Sequence, residues 1–249
     1  MSSLQDDTIS REKLSNDKKM LDNEYTRVHS KRFNYILQQI KKYRGENGKV
    51  GDIGVSTFSC LCGTQIGFEN FSAIIPKNTF VDYSLPCAEK LSYLVYDVTD
   101  GTTGLEKQGN FNPSFDVVVF SEVMEHIMCN DEIIIDNVRK LLKPGGVLIL
   151  TVPNIASLWN RIRLLMGRNV LGSKSEILHG VFGGYGHLRE YTPNEIKDIV
   201  LKCGFKIVSL GGFNGYGGEG IIGKITRVLL NALPSSLSFH IVCIASREV

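Results

Sequence analysis

The chain has 249 residues, 43% of them hydrophobic and 22% charged, enough apolar material for one large domain or two small ones. Its formal net charge of +2 is too small to make nucleic acid the expected partner. No apolar run approaches the ~20 residues of a membrane span, and residues 1–24 contain no apolar core of a signal peptide, so a cytoplasmic protein without a transmembrane segment is expected. The six cysteines (Cys60, Cys62, Cys87, Cys129, Cys203, Cys243) stand in apolar, strand-like surroundings, which predicts free buried thiols in a reducing compartment. Cys60 and Cys62 form a C-x-C pair with no second pair nearby, which argues against zinc.

Residues 1–24 are rich in Ser, Asp, Lys and Asn and read as a flexible tail; 25–249 read as one domain. From Tyr25 to Tyr43 a helical period puts Val28, Phe33, Ile36, Leu37 and Ile40 on one face. "KVGDIGVSTFSCLCG" (49–63) reads as a buried strand, a turn around Gly54 and a helix. "TFVDYS" (79–84) and "LSYLVYDV" (91–98) read as short strands, and "FDVVVFS" (115–121) as a parallel strand covered on both faces. "DEIIIDNVRKLL" (131–142) has helical spacing and stops at "KPGG", followed by the strand "VLILTVP" (147–153). "TPNEIKDIVLKCG" (192–204) has a Thr cap, Pro in the first turn and Gly at the end, and "FKIVSL" (205–210) and "HIVCIAS" (240–246) are the last strands. Alternation of this kind predicts a single α/β domain around a mostly parallel sheet, with inserts at 154–190 and 211–239 placed to carry function.

"VGDIGVS", "FDVVVFSEVMEHI", "LLKPGGVLILTVPN" and "GHLREYTPNEIKDIVLKCGFKIVSL" together resemble class I S-adenosylmethionine-dependent methyltransferases, especially the group acting on small molecules, quinones and glycans. The resemblance runs from about residue 26 to residue 246. It implies a doubly wound, Rossmann-like α/β fold: a seven-stranded, mostly parallel sheet, its last strand antiparallel, with helices on both faces. S-adenosylmethionine would lie outside the carboxyl ends of the strands. Asp52, Gly54, Ser56 and the turn amides would hold its methionine part, and Asp82, ending the second strand, its ribose hydroxyls. Asp97 with Val98, ending the third strand, would hold its adenine, and Ser121 closes the fourth strand at the same crevice. A plain strand-end turn is the alternative for Asp82 and Asp97.

The opening turn departs from the family's Asp-x-Gly-x-Gly-x-Gly: it reads Asp52-Ile-Gly54-Val-Ser56-Thr-Phe58, with Gly51 where a large apolar residue is usual. Phe58 in place of the third glycine predicts weaker cofactor binding, with the helix set further out or the phenyl ring filling space near the ligand.

A helical turn after the fourth strand would give Glu122, Glu125 and His126 one shared face, with His187 closing over it. Two carboxylates and two imidazoles suit a divalent metal, as in quinone and small-RNA terminal methyltransferases with a similar E-x-x-E-H and a downstream His. A base role for His126 or His187 and a structural role are the alternatives, and metal is not favoured among them. His179 and Tyr191 are weaker neighbours, and His29 and His240 have no supporting context. "SLWNRIRLLMGRN" (157–169) is expected to be a core-packed lid helix with solvated arginines; a basic amphipathic helix meeting a phosphorylated or lipid-linked acceptor is the sharper alternative. "GIIGKITRVLLNALP" (220–234) has the same character, and "HGVFGGYGH" (179–187) suits a gate. The expected reaction is O-directed methyl transfer to a small molecule or saccharide. The alternatives are a catalytically silent relative acting as a binding protein and, less well supported, a nucleotide-dependent oxidoreductase.

Overall fold

Two central strands decide the architecture through the alternation of their side chains. The computed structural model describes residues 24–76, 85, 87–100, 114–178, 186–214 and 234–248. In chain order these form α1 (Glu24–Tyr43), β1 (Val50–Ile53), α2 (Thr57–Ile66), β2 (Phe71–Ile75), β3 (Ser92–Val95), β4 (Phe115–Ser121) and α3 (Asp131–Leu141). Then come β5 (Leu142–Pro153), α4 (Leu158–Leu165), α5 (Lys174–Leu178), α6 (Pro193–Lys202), β6 (Phe205–Phe213) and β7 (His240–Arg247). Val117 and Val119 of β4, with Val147 and Ile149 of β5, enter one core against Phe33, Ile36 and Ile40 of α1 and Phe58 and Leu61 of α2. Val118, Phe120, Leu148 and Leu150 enter the other, against Ile134 and Val138 of α3 and Ile196 and Val200 of α6. A strand covered on both faces has no room for polar alternation, which is why both read as continuous apolar runs.

The sheet order is β3-β2-β1-β4-β5-β7-β6. All neighbouring pairs from β3 to β5 are parallel, and β7 is antiparallel to both β5 and β6. The expected seven-stranded sheet with an antiparallel last strand is therefore present. Strand order reverses between β1 and β4, so the turns that follow their carboxyl ends meet. Among the described residues no helix is long and apolar enough to cross a membrane.

Several expectations need correction. The second strand is Phe71–Ile75, not 79–84, and it ends seven residues before Asp82. "FSAII" fits the buried site beside β1. Residues 79–84, Asp82 included, lie outside the described residues, as do 1–23, His179 and most of 220–234. β3 stops at Val95, two residues short of Asp97. Val28 of α1 is exposed rather than packed. Cys60 of α2 and Cys87 are joined in a disulfide, Cα atoms 5.5 Å apart, which overturns the expectation of six free thiols and removes that argument for a reducing compartment. Pairing across 27 residues leaves no mark in local spacing; Cys62, Cys129, Cys203 and Cys243 are free. Finally, α4 has no buried residue, so it is not a core-packed lid.

Candidate active site

Three turns at the carboxyl edge of the sheet build the site. In the first, after β1, Gly54 takes φ +104, a conformation only glycine adopts freely, and its N–H donates to Ile74 O at 2.9 Å. A Cβ there would come to 3.6 Å from Val123 Cγ2, so this turn abuts the one after β4. Ser56 caps α2: its Oγ accepts from Phe58 N at 3.1 Å, and its own N–H donates to Ser59 Oγ at 3.0 Å. Both polar groups of Ser56 thus serve the helix end. Ser59 Oγ donates to Asp52 Oδ2 at 2.7 Å. Burial pushes the Asp52 carboxyl up to about 7, the Ser59 hydrogen bond opposing the rise.

Phe58 does not fill the crevice. Its ring packs on Phe33 of α1, centroids 5.0 Å apart, inside the core. Gly51 is explained in the same way: a Cβ there would lie 2.6 Å from Ile74 Cδ1 and 3.3 Å from the Phe115 ring, so neighbours already fill the space a larger residue takes.

In the second turn, after β4, Glu122 adopts φ +54, unusual for a residue with a side chain. It is not the start of a helix, and the expected shared helical face is absent; only a short 3-10 turn, Met124–His126, follows. Glu122 is held by Thr151 Oγ1 donating to Oε1 at 2.9 Å, His240 Nδ1 at 3.1 Å from Oε2, and Arg32 Nη1 at 3.3 Å. Thr151 spends its one proton there, so Ser121 Oγ is the donor in its 2.8 Å contact with Thr151 Oγ1. Burial works against the Glu122 charge, but His240, Arg32 and Thr151 together hold its carboxyl down at about 2.

Glu125, three residues on, is the opposite case. It is fully buried, and neither carboxyl oxygen has a hydrogen-bond partner. Burial first, then the nearby Glu122 charge, push it well above the usual carboxylate range. Its Oε1 lies 3.9 Å from His126 Nε2 and 4.0 Å from His187 Nε2, and the two imidazoles meet edge to face with centroids 4.9 Å apart.

His187 reaches this point because the third turn, after β5, is stitched to the second. Leu188 N donates to Glu125 O at 2.8 Å, Ile155 N to Tyr191 O at 3.1 Å, and Asn154 bridges Tyr191 in parallel. Tyr191 itself is buried, its hydroxyl donating to Asp131 Oδ1 at 2.8 Å, a structural role. His187 Nδ1 lies 3.1 Å from Glu190 Oε1; the carboxylate accepts, so Nδ1 carries the proton and Nε2 presents a lone pair.

Around these groups lies a cavity of about 380 Å³, shared by Glu122, Glu125, His126, His187, His29 and His240. His29 and His240, which have no supporting context in the sequence, therefore stand beside the predicted residues. Burial, then the Arg32 charge, lower His29 to about 4, so it is neutral near pH 7. A signal existed for His240: an antiparallel last strand begins at the edge where parallel strands end, so its first residue had to enter the site. Nothing in local spacing marked Arg32, Thr151 or Glu190.

The remaining candidates stand apart from this cluster. Asp97 Oδ1 accepts from Thr99 N at 2.8 Å and Thr99 Oγ1 at 2.7 Å, the geometry of a turn residue. Val98 is buried in the core, its carbonyl accepting from Asn137 Nδ2 at 3.0 Å.

Residues 30–210 match the family described as a methyltransferase domain. A ubiquinone biosynthesis O-methyltransferase of Rickettsia bellii is 23% identical over 188 residues, covering 75% of this chain and 74% of the relative. Among solved structures, an S-adenosylmethionine-dependent methyltransferase of Mesorhizobium loti superposes with TM-score 0.54 at 14% identity, covering 88% of this chain and 98% of its own. The N-methyltransferase NodS of Bradyrhizobium japonicum gives TM-score 0.50 at 13% identity over 92% and 99%. With a family match across most of the chain, on a sheet of this order, the protein belongs to the methyltransferase-domain family and is an S-adenosylmethionine-dependent methyltransferase.

Proposed function

We propose that the enzyme methylates an oxygen of a small molecule or saccharide in the cavity bounded by Glu125, His126 and His187. The observation that carries this reading is the placement of His187, its Nδ1 3.1 Å from Glu190 Oε1 and its Nε2 turned into the cavity 4.0 Å from Glu125 Oε1. When bound, S-adenosylmethionine supplies an electrophilic methyl group on sulfur.

The turn after β1 fits such a ligand. Its left-handed glycine keeps backbone open, and a buried carboxyl, Asp52, stands ready to balance an ammonium group. Asp52, Gly54 and Ser121 would line the methionine side. Asp97, Val98 and Asp82 stay as proposed contacts for adenosine, and Ser56 acts by capping α2. An acceptor hydroxyl entering the cavity would place its oxygen beside the turn after β4, with its proton directed to His187 Nε2. The acceptor proton would pass to that imidazole during transfer, and the Glu190 carboxylate would stabilise the imidazolium. Glu122, locked to Arg32 and His240, fixes the wall.

One observation favours a second form of the site, in which His187 Nε2 ligates a divalent cation instead of taking the proton. Glu125, His126 and His187 each offer a ligand atom, all within 4.8 Å of one another, and the Glu125 oxygens are otherwise unpartnered. Two imidazoles and a carboxylate fit a first-row transition ion or zinc rather than magnesium, and such an ion would acidify the acceptor hydroxyl. Glu190 on His187 is the kind of outer partner such ligands have.

The test is methyl transfer from labelled donor to a panel of phenols, catechols and sugars, with and without chelator. His187→Ala should lower turnover roughly 100-fold and leave S-adenosylhomocysteine affinity near normal. Unchanged turnover would remove His187 from the chemistry. Loss of turnover on chelation, restored by Mn²⁺, Co²⁺ or Zn²⁺, would select the metal-assisted form.

A further inference from the structure

Helix α4 is the least explained part of the fold. None of its residues is buried, yet Trp159 is 52% exposed, Leu165 87% and Met166 52%, with Ile162 and Leu164 exposed as well. Leu171 and Leu178 continue the series beyond it. Isolated apolar side chains on a surface mean little, but a run of this density marks an interaction site.

The arrangement around the helix axis narrows the partner. At about 100° per residue, Leu158, Trp159, Ile162, Leu165 and Met166 share one arc of roughly 120°. Arg161 and Arg163 border that arc on either side, and Arg168 and Lys174 follow it; between 157 and 178 only Glu176 carries a negative charge. Each bordering arginine is fixed through one guanidinium nitrogen, Arg161 Nε donating to Ala156 O at 2.8 Å and Arg163 Nη2 to Asn169 O at 2.6 Å, which leaves the other N–H donors of each fork for an anionic headgroup. A deep apolar ridge between cations matches an acyl layer beneath anionic headgroups, not the mixed rim of a protein partner. On the far side of the helix, Asn160, with the cap residue Ser157, lines the catalytic cavity.

We infer that α4 seats the enzyme on an anionic lipid surface, apolar arc inserted and arginines at headgroup level, with the cavity mouth held beside the membrane. The inference rests on the exposed arc and its charges, so it stands or falls separately from the choice of methyl acceptor.

Trp159 is the only tryptophan of the chain and reports directly. The full-length protein is titrated with vesicles of phosphatidylcholine, with and without phosphatidylglycerol, at low and high salt. The expected result is a blue shift of Trp159 emission and co-sedimentation with the anionic vesicles, both weakened by salt. Leu165→Ser/Met166→Ser should reduce anionic-vesicle binding roughly fivefold or more, with circular dichroism and S-adenosylhomocysteine binding unchanged. Co-sedimentation equal on neutral vesicles, or absent from both, would overturn the inference. So would a salt-insensitive dimer that the same double variant dissociates, since a second copy would then cover the arc.

Discussion

His240 Nδ1 lies 3.1 Å from Glu122 Oε2, so the first residue of the last strand grips the carboxylate just beyond the fourth. With Arg32 from α1 and Thr151 from β5, this contact gathers four distant parts of the chain on one buried acid. It also over-determines the left-handed backbone of Glu122, which by itself costs on the order of 1–3 kcal/mol.

Glu122→Gln should therefore cost about 3 kcal/mol, because the buried Arg32 loses its counter-charge. The pH dependence follows from the direction of the shift. A folded-state value near 2, against 4.5 unfolded, contributes stability present above pH 4.5 and lost as pH falls toward 2. Urea unfolding of both proteins should show the gap at neutral pH and its closure in acid.

Asp52 predicts a pH-dependent affinity. With its carboxyl lifted to about 7, it is largely protonated below that value and cannot balance a ligand ammonium. Affinity for S-adenosylhomocysteine should rise roughly tenfold between about pH 6 and about pH 8 by calorimetry. Asp52→Asn should bind more weakly and lose the slope; an unchanged slope would place the titrating group elsewhere.

Gly51→Val, which moves this strand toward the usual apolar residue, should destabilise by ~1–3 kcal/mol, because its Cβ would meet Ile74 Cδ1 at 2.6 Å. The double variant Gly51→Val/Ile74→Ala should regain part of that loss. Additive losses in a denaturation cycle would contradict the steric explanation.

Thiol titration of the native protein should find four reactive-on-denaturation sulfhydryls, rising to six after reduction. Cys87→Ser should lower stability by about 3 kcal/mol, from the closure of a 27-residue loop.

What could be read in advance was whatever depends on neighbours in sequence. β4 and α3 were found almost to the residue, because a doubly covered strand and a capped amphipathic helix each carry their own period. Thr192 as cap, Pro193 in the first turn and Gly204 at the end announced α6, to which the structure adds a capping box between Thr192 and Glu195. The E-x-x-E-H stretch does not form the expected helical face, since Glu122 answers to Thr151, 29 residues away, and to Arg32 and His240, further still. The Cys60–Cys87 pairing, the grip of Arg32 and the outward arc of α4 all depend on packing between segments, which local pattern does not encode.

Among the described residues β6 pairs with no strand but β7, although β6 is made first. The sheet is thus completed out of synthetic order, the later strand inserting between an earlier pair. On a ribosome the stretch bearing Phe205 must wait, unpaired, while the segment carrying His240 clears the exit tunnel, and until then the cavity lacks one wall.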